Sequence, residues 1–229
     1  MRLETLAVHA GAEADAETGA VASPLHLSTT FKHGPAGERV AGHEYQRESN
    51  PTQDRLENCL AALEGGQRAL VYGSGMAAMQ CLLESLPNGA HILIPDDCYT
   101  GLRSLCKEFL PLRGIKTTAV DMTDLAAVES AMTDVTKLIW AETPSNPLLA
   151  VSDIAALARI AHGRGALLAC DNTFATPALQ QPLKLGADAV MHSTTKYFGG
   201  HSDVMGGALV FAKADALFER AAHRRHITG

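Results

Sequence analysis

The chain has 229 residues, of which 46% are hydrophobic, and 19 Lys and Arg oppose 25 Asp and Glu, so its formal net charge is −6. This composition excludes a disordered chain, the acidic balance gives no electrostatic footprint for nucleic acid, and no apolar run approaches the ~20 residues of a membrane span. The N-terminus lacks the regions of a secretory signal and the five cysteines have no CxxC spacing, so we expect a soluble cytoplasmic protein with reduced thiols.

The first 50 residues are predicted to form an extended arm with turns. They are rich in Gly, Ala, Ser, Thr and His and show little periodicity. The pattern changes at Pro51, after which three leucines share one face of a predicted helix that ends at Gly65. We therefore expect an N-terminal arm over residues 1–50 and a large domain over residues 51–229.

Short apolar runs alternate with helical stretches in the rest of the chain. This pattern is typical of a mostly parallel sheet with helices on both faces, joined by right-handed crossovers, so the predicted fold class is α/β. The seven predicted strands contain residues 69–72, 92–94, 118–120, 138–140, 167–170, 189–191 and 208–211, and the helices between them span 75–86, 101–113, 124–132 and 153–163.

Ligands of such a sheet bind beyond the carboxyl ends of its strands, so the residues that follow each apolar run are candidates for a site. The turn at residues 72–76, Tyr-Gly-Ser-Gly-Met, joins a strand to a helix whose free N–H groups suit a phosphate. It lacks the lysine of a P-loop and the third glycine of the dinucleotide motif. Taken alone, it is better explained as an ordinary turn.

Asp171 is predicted to emerge at the carboxyl end of another strand. A carboxylate at that place could bind a metal, act as a base or pair with a protonated ring nitrogen. It could equally cap the helix that follows it. The residue alone does not decide between these roles.

The sharpest local signal is the segment 193–196, Ser-Thr-Thr-Lys, which also follows a predicted strand. Hydroxyl groups beside a lysine suit a phosphate-bearing ligand whose aldehyde condenses with the amine, a reaction that needs an unprotonated lysine. A surface lysine is the weaker explanation here. A zinc site that includes His192, His201 and Asp203 fits no zinc template, and a hydrolase triad of Ser193 with the latter two lacks the GxSxG elbow.

Six segments in a fixed order give a more specific signal than any single motif. They are VHAGAEAD with TGAVASPLHLSTTF, YQRESNPT, VYGSGMAAM, ETPSNPLL, DNTFATPALQQPLKLGAD and HSTTKYFGGHSDVMGG. Together they resemble the cystathionine gamma-synthase/gamma-lyase family, pyridoxal 5′-phosphate (PLP) enzymes of Cys and Met metabolism. The resemblance runs from about residue 5 to the last residue. It implies the aspartate-aminotransferase type of fold, PLP fold type I.

The resemblance also implies a role for each matching residue. Lys196 would hold PLP as a Schiff base and move protons, and Asp171 would pair with the pyridine nitrogen. Tyr99 would stack on the ring and serve as an acid or base for the leaving group. The other implied contacts are a phosphate cradle of Ser74, Gly75, Met76, Ser193 and Thr195, a contact of Asn146 with the ring hydroxyl, and contacts of Tyr45 and Arg47 with the phosphate of the neighbouring subunit.

By this resemblance the chain is a PLP-dependent transsulfuration enzyme that acts on a small amino-acid substrate as a homodimer or homotetramer. Cystathionine gamma-synthase, which replaces the acyloxy group of an O-acylhomoserine by cysteine, is favoured. Cystathionine gamma-lyase, another carbon–sulfur lyase or sulfhydrylase, and a truncated, non-catalytic PLP-binding remnant stay open. Family members are longer and supply a carboxylate-binding arginine from a smaller C-terminal domain, which we expect to be absent. A nucleotide-binding module would leave Lys196 and Asp171 unexplained.

Overall fold

Seven strands form one sheet in the computed structural model, which describes residues 2–229. They are β1 (Arg68–Tyr72), β2 (His91–Pro95), β3 (Lys116–Val120), β4 (Thr136–Glu142), β5 (Leu167–Asp171), β6 (Ala189–His192) and β7 (Gly207–Phe211). Their order is β1-β7-β6-β5-β4-β2-β3, and only β7 pairs antiparallel with its two neighbours. All seven predicted strands and the mostly parallel α/β sheet are confirmed.

Helices cover both faces of this sheet. They are α1 (Leu3–His9), α2 (Pro51–Glu64), α3 (Gly75–Glu84), α4 (Thr100–Glu108), α5 (Leu125–Ala131), α6 (Ile154–Gly163), α7 (Thr176–Leu179) and α8 (Ala216–Thr228), with 3-10 helices at Leu110–Arg113 and Pro182–Leu185. The helix predicted over 101–113 is wrong in its extent. It is divided before Pro111, because proline has no N–H to continue an α-helix and its ring clashes with the preceding turn.

The α2 helix illustrates how local sequence sets the element bounds. Asn50 caps its start by accepting a hydrogen bond from the N–H of Gln53 at 2.8 Å, and Pro51 occupies the first helical position. Gly65 ends the helix with φ of 74°, a left-handed conformation that favours glycine. The predicted bounds of this helix are confirmed.

The core lies on both faces of the central strands. On one face Trp140 of β4 packs with Met79 of α3 and Leu102 of α4, and on the other Ile139 packs with Leu157 of α6. Burying an aliphatic or aromatic side chain of this size contributes roughly 1.5–3 kcal/mol. The two packed faces therefore hold the strand ends, and the side chains on them, in fixed positions.

The segment before α2 packs much less than the sheet. Between α1 and α2 the backbone forms two isolated bridges, Thr30 with Tyr45 and His33 with Arg39, and Val21 and Leu27 are exposed. The short α1 helix, which buries no residue, was not predicted, because an unburied helix has no apolar periodicity. Within residues 2–229 no helix has the length and apolarity to cross a membrane.

Candidate active site

The carboxyl ends of the strands surround one cavity of about 270 Å³. Its lining comes from the segments that follow β1, β2, β4, β5 and β6, as the topology of a parallel sheet predicts. The structure therefore brings together predicted site residues that are up to 122 positions apart, from 74 to 196. The predicted site residues in the lining are Ser74, Gly75, Met76, Tyr99, Asn146, Asp171, Ser193, Thr195 and Lys196.

Two predicted residues lie elsewhere. Tyr45 pairs with Thr30 in the arm, and the Arg47 guanidinium lies over the Tyr45 ring at 5.5 Å. Arg47 also donates a hydrogen bond to the carbonyl of His226 and lines a second cavity with Thr194. Their contact with the phosphate of a neighbouring subunit stays a prediction.

The glycine-containing turn is built for a close approach of backbone segments. A Cβ on Gly75 would meet the Cβ of Ser193 at 2.9 Å, so only glycine lets the start of α3 lie against the end of β6. Ser74 caps α3 by accepting the N–H of Ala77 at 3.1 Å. The first N–H groups of a helix have no intrahelical partner and form the positive end of its dipole, so this corner of the cavity suits an anion.

Ser193, Thr195 and Lys196 lie directly opposite this helix start. The Thr195 hydroxyl donates to the carbonyl of Gly206 at 3.2 Å and accepts its N–H at 3.0 Å, which ties the segment to the entry of β7. Among residues 2–229 the Ser193 hydroxyl has no hydrogen-bond partner, so it is free to donate to a ligand. Lys196 is exposed at the cavity, where its amine is accessible to a ligand.

Asp171 is buried at the floor of the cavity with 8% of its surface exposed. Burial raises the pKa of this carboxyl, while the hydroxyl and backbone N–H of Thr173 and the charge of His192 lower it. Its Oδ1 accepts the Thr173 N–H at 3.0 Å. The alternative role as a helix cap is not observed, since Ala175 is the N-cap residue of α7 and no side chain caps that helix.

Glu142, at the end of β4, is a site residue to which the sequence analysis gave no role. It is 6% exposed, and its two oxygens accept the backbone N–H of Tyr99 at 2.9 Å and that of Asn146 at 2.8 Å. Burial, together with the charge of neighbouring Asp171, raises the pKa of Glu142 to about 7. The signal in the sequence that could have identified Glu142 is the position of an acidic residue at the end of an apolar run.

A second buried acid supports the site from behind. Glu64 of α2 and His192 of β6 are both fully buried, and His192 Nε2 lies 2.5 Å from Glu64 Oε1. The same oxygen accepts Asn172 Nδ2 at 2.8 Å. Asn172 follows Asp171 and His192 precedes Ser193, so Glu64 fixes the ends of two strands that carry site residues.

The histidines that were considered for a zinc site have other partners in the structure. His192 is engaged by Glu64, and the His201 ring hydrogen-bonds the carbonyl of Gly199 at 3.1 Å. Over the described range 2–229, no three His, Cys, Asp or Glu side chains are grouped to hold a metal ion. The cavity instead brings together a helix start that suits an anion, the buried carboxyl of Asp171 and the exposed amine of Lys196.

Comparison with known proteins assigns the family. Residues 4–229 match the model of the Cys/Met metabolism PLP-dependent enzymes. The chain belongs to this family. It is 51% identical over 207 residues to a cystathionine gamma-synthase of Mycobacterium tuberculosis, covering 90% of this chain and 53% of that protein, and 44% identical over 215 residues to a cystathionine gamma-lyase of Bacillus subtilis, covering 94% and 56%.

The fold is that of the same family. The chain superposes on the crystal structure of metB from Corynebacterium glutamicum with a TM-score of 0.96 and 43% identity, covering all of this chain and 60% of that one. This confirms PLP fold type I. The chain spans about half the length of the curated relatives it matches.

PLP is the cofactor of the Cys/Met metabolism enzymes, and the residues present fit it. The anion corner at α3 suits its phosphate, the exposed amine of Lys196 suits its aldehyde, and a cationic ring nitrogen would relieve the cost of burying Asp171 as a carboxylate. When bound, PLP supplies an electron sink for negative charge that develops on the substrate. The residues that would hold it are those that line the cavity.

Proposed function

We propose that this chain forms the PLP-binding part of a transsulfuration enzyme and that its activity is that of a cystathionine gamma-synthase. One observation carries the proposal: a single cavity at the strand ends holds Lys196, Asp171 and the start of α3. The mycobacterial gamma-synthases among its relatives support the choice of reaction. The substrates would be an O-acylhomoserine and cysteine.

Each lining residue has a task in this proposal. Lys196 would bind the cofactor aldehyde covalently, then accept the proton from the substrate Cα and return it. Asp171 would keep the ring nitrogen protonated. Tyr99, exposed at the cavity, would lie against the ring and exchange a proton with the leaving group. Asn146, in the loop after β4, would approach the ring hydroxyl of the cofactor.

The phosphate would lie at the anion corner. The backbone N–H groups of Gly75 and Met76, at the start of α3, would donate to it, and the free hydroxyl of Ser193 would add a third donor. The Thr195 hydroxyl already donates its proton to the carbonyl of Gly206, whereas the Ser74 hydroxyl only accepts the N–H of Ala77 and keeps its own proton to donate. We therefore assign Thr195 a smaller share of phosphate binding than Ser193 and Ser74.

The proposed assembly is a homodimer or tetramer in which an arm over residues 1–50 extends from a large domain over residues 51–229. Val21, Leu25 and Leu27 of the arm are each at least 75% exposed, which favours a covered surface in an assembly. Tyr45 and Arg47 would then serve the cofactor phosphate of the neighbouring subunit. The proposed location is the cytoplasm.

The direct test is a spectrum of the chain with PLP before and after borohydride, with Lys196→Ala in parallel. Borohydride reduces a bond between lysine and the cofactor aldehyde to a stable amine, so a PLP adduct on the peptide that contains Lys196 is expected. A folded chain without a visible band, or an adduct spread over other lysines, would refute the site. Lys213→Ala, an exposed lysine outside the cavity lining, is the matched control.

Cystathionine gamma-lyase is the second candidate, supported by the relative from Bacillus subtilis. The two reactions separate by substrate: a synthase joins cysteine to an activated homoserine ester, whereas a lyase cleaves cystathionine with no second substrate. Supplying each set to the PLP-loaded chain, with cystathionine formation and thiol release as the two readouts, decides between them. PLP binding with neither product would refute both activities for this chain while leaving the cofactor site intact.

A further inference from the structure

Two loops form one wall of the cavity, and two acidic side chains fasten them together. Glu142 accepts the N–H of Tyr99 from the loop after β2 and the N–H of Asn146 from the loop after β4. Asp97 joins the same loops, because its Oδ2 accepts the hydroxyl of Ser145 and, at 3.2 Å, the N–H of Leu148. Of the two acids, only Glu142 also lines the cavity.

Glu142 also lies beside the acid at the cavity floor. It is the residue paired with Asp171 in the register of β4 and β5, so the two side chains leave neighbouring strands at the same level on the same face. A carboxylate in this position is held by backbone donors on one side and faces a second carboxylate on the other. Any cation that enters the cavity beside Asp171 therefore acts on Glu142 as well.

We propose that Glu142 is a positioning residue that holds Tyr99 and Asn146 at the cofactor and releases its own proton to solvent when the cofactor binds. The inference rests on the proposed function, in which a cationic ring nitrogen pairs with Asp171. Before the cofactor binds, Asp171 and Glu142 are close enough that a negative charge on one disfavours a negative charge on the other. After binding, the added positive charge compensates Asp171, and Glu142 becomes the carboxylate that its two N–H donors prefer.

The charges around Glu142 are consistent with release of its proton when the cofactor binds. Asp171 faces it from β5, and Asp97 and the buried thiol of Cys98 face it from the loop after β2. Burial raises the pKa of the Cys98 thiol, so that group is neutral, and the Arg103 guanidinium beside it is directed at the Asp96 carbonyl. With its pKa near 7, Glu142 exchanges its proton in the neutral range.

The test compares the pH dependence of PLP affinity in wild type, Glu142→Gln and Ser145→Ala, followed by the visible band between pH 6 and pH 8. If a proton leaves a group of pKa about 7 on binding, the affinity of wild type relative to Glu142→Gln falls about tenfold from pH 8 to pH 6. The ionisations of PLP are common to both proteins and cancel. Ser145→Ala removes the hydroxyl that Asp97 accepts and loosens the same loops without changing any charge beside Glu142, so it should keep the wild-type slope.

Equal pH dependence of PLP affinity in wild type and Glu142→Gln would overturn the proposal. Loss of this pH dependence in Ser145→Ala would also overturn it, because it would indicate a purely structural role. If no variant and no wild-type sample binds PLP, the proposed function fails instead, and the two failures are thus distinct. Glutamine can accept only one of the two N–H groups without a clash from its own NH₂, so Glu142→Gln should also bind PLP more weakly at pH 8.

A measurement on wild type alone decides the case if Glu142→Gln does not fold. The difference infrared spectrum on addition of PLP at pH 6.5 should show loss of a protonated carboxylic acid band. Labelling with ¹³C-glutamate should shift that band, whereas labelling with ¹³C-aspartate should leave it in place. A band that is absent, or that shifts with labelled aspartate, would refute the assignment to Glu142.

Discussion

Glu64, the buried acid that supports the site from behind, gives a clear prediction for stability. Replacing Glu64 by Gln weakens two hydrogen bonds of one oxygen, at 2.5 Å to His192 and at 2.8 Å to Asn172, in a fully buried environment. A hydrogen bond to a charged group is worth about 1.5–3 kcal/mol, roughly twice a bond to a neutral one. Because glutamine keeps one acceptor oxygen, we expect Glu64→Gln to lower the free energy of unfolding by about 1.5–3 kcal/mol.

The assay is urea unfolding at pH 7 followed by circular dichroism. Glu84→Gln is the matched control, because Glu84 pairs with Arg224 at 2.8 Å but both side chains remain partly exposed, at 20% and 32%. Partly exposed pairs contribute about 1 kcal/mol or less. Equal losses in the two variants, or a loss below about 1 kcal/mol for Glu64→Gln, would refute the view that this buried network supports the site.

Two further predictions concern the cavity itself. Because the pKa of Glu142 is about 7 in the folded chain and its ordinary value is 4.5, the folded state binds more protons between these values, and the unfolding free energy of wild type should fall relative to Glu142→Gln as the pH rises from 5 to 8. The expected fall is about 2.5 kcal/mol, measured by urea unfolding at each pH, and a difference that does not vary with pH would contradict it. Gly75→Ala should cost about 1–3 kcal/mol in thermal unfolding and weaken PLP binding, because its Cβ would lie 2.9 Å from the Ser193 Cβ. Gly73→Ala, whose Cβ meets nothing within 4 Å, is the control and should leave both values nearly unchanged.

The strands were predictable because buried parallel strands are continuous apolar runs. Once the strands were located, the residues that follow each of them could be named as candidates for the cavity lining. The α7 helix has a single turn and buries only Pro177, so it left no periodic signal. The helix predicted over 101–113 is divided before Pro111, because this proline interrupts a pattern that is otherwise helical. The first case is an element missed altogether and the second a misplaced boundary, where local sequence competes with packing.

The two glutamates were not predicted because an acid in a sequence is normally a solvated residue. Glu64 and His192 are 128 residues apart, and no spacing rule connects them. Glu142 was visible at a strand end, yet its partners are backbone N–H groups, which every residue type provides. Burial and partner geometry, rather than residue identity, give these acids their importance, and both properties come from the tertiary fold.

The two acids should nevertheless behave differently toward the cofactor. Glu64 has an imidazole and an amide as partners and lies behind the strand ends, so a charge that enters the cavity changes its environment little. Glu142 has no cationic partner among its hydrogen-bond donors and faces Asp171, so the same charge changes its environment most. Loss of Glu64 should therefore weaken PLP binding by a similar factor at every pH, through displaced strand ends. Loss of Glu142 should change how that binding depends on pH, and this difference separates a supporting network from a group that exchanges a proton with the site.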